Sequence, residues 1–248
     1  MIRVYSLHMN RTLTAYEQEA AMEKLTLERK KKAQRFRRLE AQQHCIATGL
    51  LEDYAIQREL HRRQQGIEDM DISYVLEKGP EGKPYVRDYP DLYYNISHAG
   101  RWVVCAIGDQ PMGIDVESKN RYTESVVKRF FQPDEITEIL EEEDPERKKD
   151  IFADYWVMKE SFMKLSGGGF SVGFHGFYCD RQQGNIKVTE QIPEQWCKVL
   201  KDMGVSESKE PVCLFLPLEP EYHCAVCTVG RLEGKDLQHQ ILTLDDIL

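Results

Sequence analysis

Two segments with incompatible periods most constrain this chain. Gly113-Ile114-Asp115-Val116-Glu117 places carboxylates at i, i+2 among apolar residues. In a strand, side chains at that spacing share one face, roughly 7 Å apart along the rise. Further on, Trp156-Val157-Met158-Lys159-Glu160-Ser161-Phe162-Met163-Lys164 puts Trp156, Lys159, Glu160 and Lys164 at i, i+3, i+4, i+8. That is one stripe of a helix. The chain must therefore supply both a strand and a helix that face one another. Brought together, they offer three carboxylates and two ammonium groups around one point. Carboxylates of this kind take a hard divalent cation, and lysines offset the remaining charge of a phosphate ester.

A length of 248 residues allows one large domain or two smaller ones. No run of 18 apolar residues occurs, which leaves out a transmembrane helix. The opening residues Met1–Leu7 turn polar too quickly for a signal peptide and read as a strand. Seven cysteines without a regular frame fit reduced thiols, so a soluble cytoplasmic protein is expected, with no membrane partner. Net charge is −9, yet residues 29–38 hold seven basic residues and no acidic one. An acidic body with one basic segment indicates a local anion site and argues against nucleic acid as the main partner.

Along the chain, Thr14-Ala15-Tyr16-Glu17 reads as a capping box opening a helix towards Leu25. The basic segment leads into a longer helix near 40–60, and Gly79-Pro80-Glu81-Gly82-Lys83-Pro84 forms a turn. Strands are expected at 72–76, 84–87, 93–97, 102–107 and 112–117, with a hairpin turn at Asp109-Gln110-Pro111. Helices are expected at 122–131, 133–142 and 150–166, the last ended by Gly167-Gly168-Gly169. Short strands follow near 174–179, 185–190, 196–201, 212–217 and 222–229, then a tail over 242–248. The fold class is α+β, with a topological boundary near residue 111. Cys224 and Cys227 have zinc-like spacing, but in a strand they point to opposite faces and read as core thiols.

Several motifs now stand in order: Gly82-Lys83-Pro84, Asn95-Ile96-Ser97-His98, Gly113-Ile114-Asp115-Val116-Glu117, Arg129-Phe130-Phe131 and the 156–164 stripe. Together they resemble the 4′-phosphopantetheinyl transferase superfamily, in its Sfp-like, surfactin-synthetase-activating class. The match extends through Gly100–Ala106 and, more weakly, the N-terminal third. The resemblance implies a pseudo-dimer of two similar α+β halves, 1–111 and 112–248, with the active site at their junction. It implies transfer of 4′-phosphopantetheine from coenzyme A to a serine of an apo acyl or peptidyl carrier protein, releasing adenosine 3′,5′-bisphosphate. Mg²⁺, or Mn²⁺ in its place, is the implied metal, and a monomer the implied state.

Carried over by position, Asp115, Glu117 and Glu160 match the metal ligands, and Glu160 and Lys164 the catalytic pair. Arg29, Lys32, Lys83, Ser97, His98 and Lys159 match positions expected to contact coenzyme A. Carrier docking is expected around 118–130 and 167–180. Two departures stand out: Arg29 where members often carry lysine, and His44 where close relatives are expected to carry arginine.

The residue types suit this chemistry on their own account. A pyrophosphate repels a nucleophile unless neutralised, and a serine hydroxyl needs a base, for which Glu160 is the candidate directly or through a metal-bound water. Lys164 is placed to stabilise or protonate the leaving phosphate. The same acidic cluster also fits an alternative, a Mg²⁺-dependent nucleotide or phosphoester hydrolase. A third reading, nucleic-acid binding through residues 29–38, predicts indifference to Asp115 and steep salt dependence.

Overall fold

The computed structural model describes residues 1–64, 71–79, 82–206, 208–230, 232 and 236–248. The chain opens with strand β1 (Ile2–His8) and three helices, α1 (Ala15–Lys24), α2 (Leu27–Arg35) and α3 (Leu39–Arg63). Thr14 and Glu17 close the expected capping box on α1, and the Thr26 side chain caps α2. Strands β2 (Leu76–Lys78), β3 (Pro84–Val86), β4 (Tyr93–Ala99), β5 (Trp102–Gly108) and β6 (Met112–Ser118) follow. Of the expected Gly79–Pro84 turn, Pro80 and Glu81 lie outside the described residues. Helices α4 (Glu124–Phe130), α5 (Pro133–Glu141) and α6 (Pro145–Ser166) precede β7 (Phe177–Asp180) and β8 (Asn185–Val188). Helix α7 (Glu194–Asp202) and strands β9 (Pro211–Phe215), β10 (Tyr222–Val229) and β11 (Leu237–Thr243) complete the order.

Two sheets organise these elements, β11-β1-β5-β4 and β6-β10-β9-β8-β7, beside a small β2-β3 ribbon. They pack against each other through Ile2, Val4, Val104 and Ala106 on one side and Met112, Ile114, Val116 and Val226 on the other. The outer face of the first sheet is covered by α1–α3 and that of the second by α6 and its neighbours. Alternation decides which side chains go where. Ile2 and Val4 turn to the inner core, whereas Tyr5 and Leu7 turn to the helices. The architecture is α+β in two helix-covered halves, as expected.

Strand β6 carries the alternation that matters most. Met112, Ile114 and Val116 enter the inter-sheet core, which leaves Gly113, Asp115 and Glu117 on the face towards α6. A Cβ at Gly113 would sit 2.0 Å from the Ser161 carbonyl oxygen, so glycine is what lets α6 lie directly on the strand.

Four expectations change. Helix α6 begins at Pro145, not 150, because Asp144 accepts from the Glu146 and Arg147 amides and Pro145 suits the first helical position. Residues 196–201 form α7, whose Trp196 and Leu200 bury one helical face. The strand expected at 72–76 is displaced to β2. The last residues are not merely a tail: β11 pairs in parallel with β1, so the end of the chain closes the first sheet. Cys224 and Cys227 do point into different cores.

Candidate active site

The two sheets meet where β4 and β6 lie side by side. The Asn95 side-chain oxygen accepts the Ile114 amide at 2.9 Å. Two residues on, Ser97 Oγ donates to Asp115 Oδ1 at 2.7 Å. Lys164, from the last turn of α6, donates from Nζ to Asp115 Oδ1 at 2.6 Å and to Ser97 Oγ at 2.8 Å. Ser97 and Asp115 are buried, so this is a charge-assisted cluster largely out of water.

Glu117, two residues beyond Asp115, accepts the Ser118 amide at 2.9 Å and the Arg121 guanidinium at 2.7 Å. Its pKa is nevertheless raised, first by burial, with Asp115 adding to the effect. Glu160 is half-buried one helical turn before Lys164, and its side chain has no hydrogen bond or ion pair among the described residues. Burial first, then the charge of Asp115, push its carboxyl up to about 7.

Among the described residues, no three acidic, histidine or cysteine side chains are drawn together as a closed ligand set. Lysine and arginine already neutralise two of the three acids. The donor chemistry still fits a hard cation: all three candidates are carboxylates, and Glu160 makes no close ion pair among the described residues, Lys164 and Arg121 acting on it only from further away. Mg²⁺ needs only one or two protein carboxylates because it keeps waters. The residues present therefore suit such an ion.

Beside this centre lies a cleft of about 690 Å³ lined by Arg29, Lys32, Leu76, Lys78, Pro84 and Ile96 among others. Arg29 Nη2 lies 2.6 Å from Glu52 Oε2, whose other oxygen accepts from Tyr94 at 3.1 Å. Burial works against the Arg29 charge, and the Glu52 carboxylate more than restores it. Lys32, in contrast, is exposed, and its side chain makes no hydrogen bond or ion pair among the described residues. His98 is open at the surface, with its ring centre 6.1 Å from that of His44. Protein crowding first, then His44 when protonated and the cations Lys164, Lys32 and Arg29, hold its pKa below the usual value. Burial lowers that of His44 as well.

Two expected substrate contacts lie elsewhere. Lys159 is fully buried, 2.9 Å from Glu135 Oε2, with its ammonium 4.8 Å from the Phe177 ring centre. It is inaccessible to any ligand, because α6 is covered on nearly every side and this position turns inward. Lys83 donates to the carbonyls of Lys164 (2.7 Å), Leu165 (3.1 Å) and Met112 (3.2 Å) instead of facing the cleft. Burial of its ammonium lowers its pKa to about 8.

The partners Asn95, Arg121, Glu52 and Glu135 were not anticipated from sequence. Arg121 lies four residues from Glu117, a spacing that signals a local pair, whereas the others meet their partners only through the tertiary fold. Trp156 packs in an aromatic cluster with Phe130, Phe152 and Phe174, as a core residue beside the site.

Comparison with known proteins bears on this arrangement. Residues 111–227 match the family model of the 4′-phosphopantetheinyl transferase superfamily, and residues 12–110 match that of the 4′-phosphopantetheinyl transferase N-terminal region. A 4′-phosphopantetheinyl transferase of Bacillus subtilis is 32% identical over 217 residues, covering 87% of this chain and 93% of the relative. The 4′-phosphopantetheinyl transferase Sfp of Bacillus subtilis strain 168 is 34% identical over 194 residues, covering 78% and 82%. A Xenopus laevis L-aminoadipate-semialdehyde dehydrogenase-phosphopantetheinyl transferase is 26% identical over 190 residues, covering 70% and 59%. Each relative named here is a transferase, and the hydrolase reading gains no support.

Proposed function

Because this chain belongs to the 4′-phosphopantetheinyl transferase superfamily, its Sfp-like class included, we propose that the cluster around Asp115, Glu117, Glu160 and Lys164 carries out the family's reaction. The reaction moves 4′-phosphopantetheine from coenzyme A to the serine of a carrier protein. The observation that carries the assignment is Glu160, an unpartnered carboxyl with pKa about 7, set one turn from Lys164 and close enough to Asp115 to feel its charge. A base that titrates near neutrality suits the removal of a proton from a serine hydroxyl.

In this reading Asp115, Glu117 and Glu160 would hold Mg²⁺, with Mn²⁺ as a substitute. The ion would neutralise the pyrophosphate of coenzyme A. Glu160 accepts the serine proton, directly or through water. Lys164 balances the charge that develops on the departing phosphate of adenosine 3′,5′-bisphosphate. Lys32 and His98, with Arg29 behind them, attract the remaining phosphate at the mouth of the cleft, and Ser97 orients Asp115.

The partner is an apo acyl or peptidyl carrier domain, docking near 118–130 and 167–180, where Phe170 is exposed. No helix among the described residues is long and apolar enough to cross a membrane. We take the enzyme to work in the cytoplasm as a monomer, with neither membrane nor nucleic acid as partner. The N-terminal half would serve the nucleotide and the C-terminal half the metal and carrier.

Intact mass of an apo-carrier after incubation with coenzyme A and Mg²⁺ tests this reading. A gain of one phosphopantetheine, lost with EDTA, is expected. Release of adenosine bisphosphate with an unmodified carrier would contradict it.

A further inference from the structure

Lys83 brings together three parts of the molecule that the reaction needs in register. An ammonium has three donors and no acceptor. Here all three are directed at backbone carbonyls, of Lys164, Leu165 and Met112. The first two close α6, where the Lys164 carbonyl also receives the Gly167 amide at 3.3 Å and a positive charge is favourable. The third opens β6, the strand that reaches Asp115 three residues later. The segment carrying Lys83 joins β2 to β3, and Leu76, Lys78 and Pro84 from that ribbon form one wall of the cleft. One side chain thus ties the cleft wall to both elements that bear the acidic centre.

We infer that Lys83 is a positioning residue that fixes the last turn of α6 on the start of β6, and so holds Lys164 and Glu160 in register with Asp115 without touching coenzyme A. The inference rests on the transferase reading. It gives a basic residue of the expected nucleotide loop a different task, and the two tasks have different kinetic signatures. A nucleotide contact contributes to the binding of coenzyme A. A register clamp contributes to the chemical step and leaves ground-state binding nearly unchanged.

The test uses the full chain with Lys83→Met and Lys83→Gln. Transfer to an apo-carrier is followed by intact mass, coenzyme A binding by calorimetry, and folding by thermal melting. For Lys83→Met, kcat should fall on the order of 100-fold, since small displacements at a reacting centre have effects of that size. KM and Kd for coenzyme A should stay within about twofold. Lys83→Gln, whose amide still donates twice, should fall between this variant and wild type, and it carries the test if Lys83→Met does not fold. A tenfold or larger rise in KM and Kd with kcat held would overturn the inference in favour of direct nucleotide contact. A lowered melting temperature with unchanged kcat per folded molecule would reduce Lys83 to a structural tie and overturn it equally. If wild type binds coenzyme A but transfers nothing, the transferase reading itself fails, a result distinct from both.

Discussion

Lys164 reaches from α6 to Asp115 on β6, Nζ to Oδ1 at 2.6 Å, and its charge is matched there. Glu160, one turn earlier on the same helix, has no such match and is left protonated up to about pH 7. The helix therefore presents one satisfied cation and one unsatisfied acid to the same strand. A divalent cation binding between these carboxylates would relieve their mutual repulsion and leave the ammonium for a phosphate.

Asp115→Asn should weaken the response to Mg²⁺ and slow transfer together. Outer-shell partners of a bound metal alone are worth about 10–100-fold in affinity, so loss of a ligand should raise the half-saturating Mg²⁺ concentration at least that much. Rates measured across a Mg²⁺ series check this, and an unchanged titration would remove Asp115 from the metal site.

The Glu160 carboxyl also predicts a pH signature. Its folded pKa is raised, so between the ordinary glutamate range and about pH 7 the folded protein keeps a proton that the unfolded chain has released. Its contribution to stability is therefore present at low pH and declines as pH rises through that window. Metal binding displaces the proton. Mg²⁺ should raise the melting temperature more at about pH 8 than at about pH 5.5, and Glu160→Gln should remove the difference. Equal shifts at both pH values would count against metal binding at Glu160.

Arg29 and Lys32 should separate cleanly. Arg29 is 18% exposed and its partner Glu52 only 7%, so Arg29→Ala strands a buried carboxylate and should cost about 3–5 kcal/mol of stability. Lys32→Ala, at an exposed and unpartnered position, should change stability by about 0.5 kcal/mol or less. Its KM for coenzyme A should rise more than that for dephospho-coenzyme A. Denaturant unfolding and paired kinetics distinguish the two, and equal stability losses would refute the division.

Lys159→Met should behave as a core lesion. Glu135 Oε2 lies 2.9 Å from the ammonium, and its two oxygens also receive the Gln132 and Cys179 amides. Removing the cation should destabilise by about 3–5 kcal/mol and leave KM for coenzyme A unchanged. A selective rise in KM would restore Lys159 to the substrate contacts.

The strand and helix of the site were legible because each announces its own period. Alternation placed Asp115 and Glu117 on one face, and the i, i+4 spacing placed Glu160 and Lys164 on one stripe. The lysines were harder to read. Lys159 and Lys164 share that stripe, yet one faces Glu135 in the interior and the other faces Asp115 at the junction. Only the packing around α6 distinguishes them. The bonds that Lys83 makes are hidden for a similar reason, since its partners are carbonyls far along the chain that have no sequence signature. Strand β11 escaped notice because its alternation is mostly polar and its pairing with β1 spans the whole molecule. Helix α7 reads as a strand when only residues 196–201 are considered, but Trp196 and Leu200 stand at the i, i+4 spacing of a helical face within the longer Glu194–Asp202.

The most direct test of the central claim compares wild type with Glu160→Gln in one assay, following intact mass of an apo-carrier with coenzyme A over a Mg²⁺ series. Wild type should convert the carrier fully. Glu160→Gln, folded by circular dichroism and melting, should lose about 10²–10⁴-fold in rate, with no recovery at high Mg²⁺. Near-normal turnover by that variant would contradict the account, because the acid singled out by its environment would then have no part in the reaction.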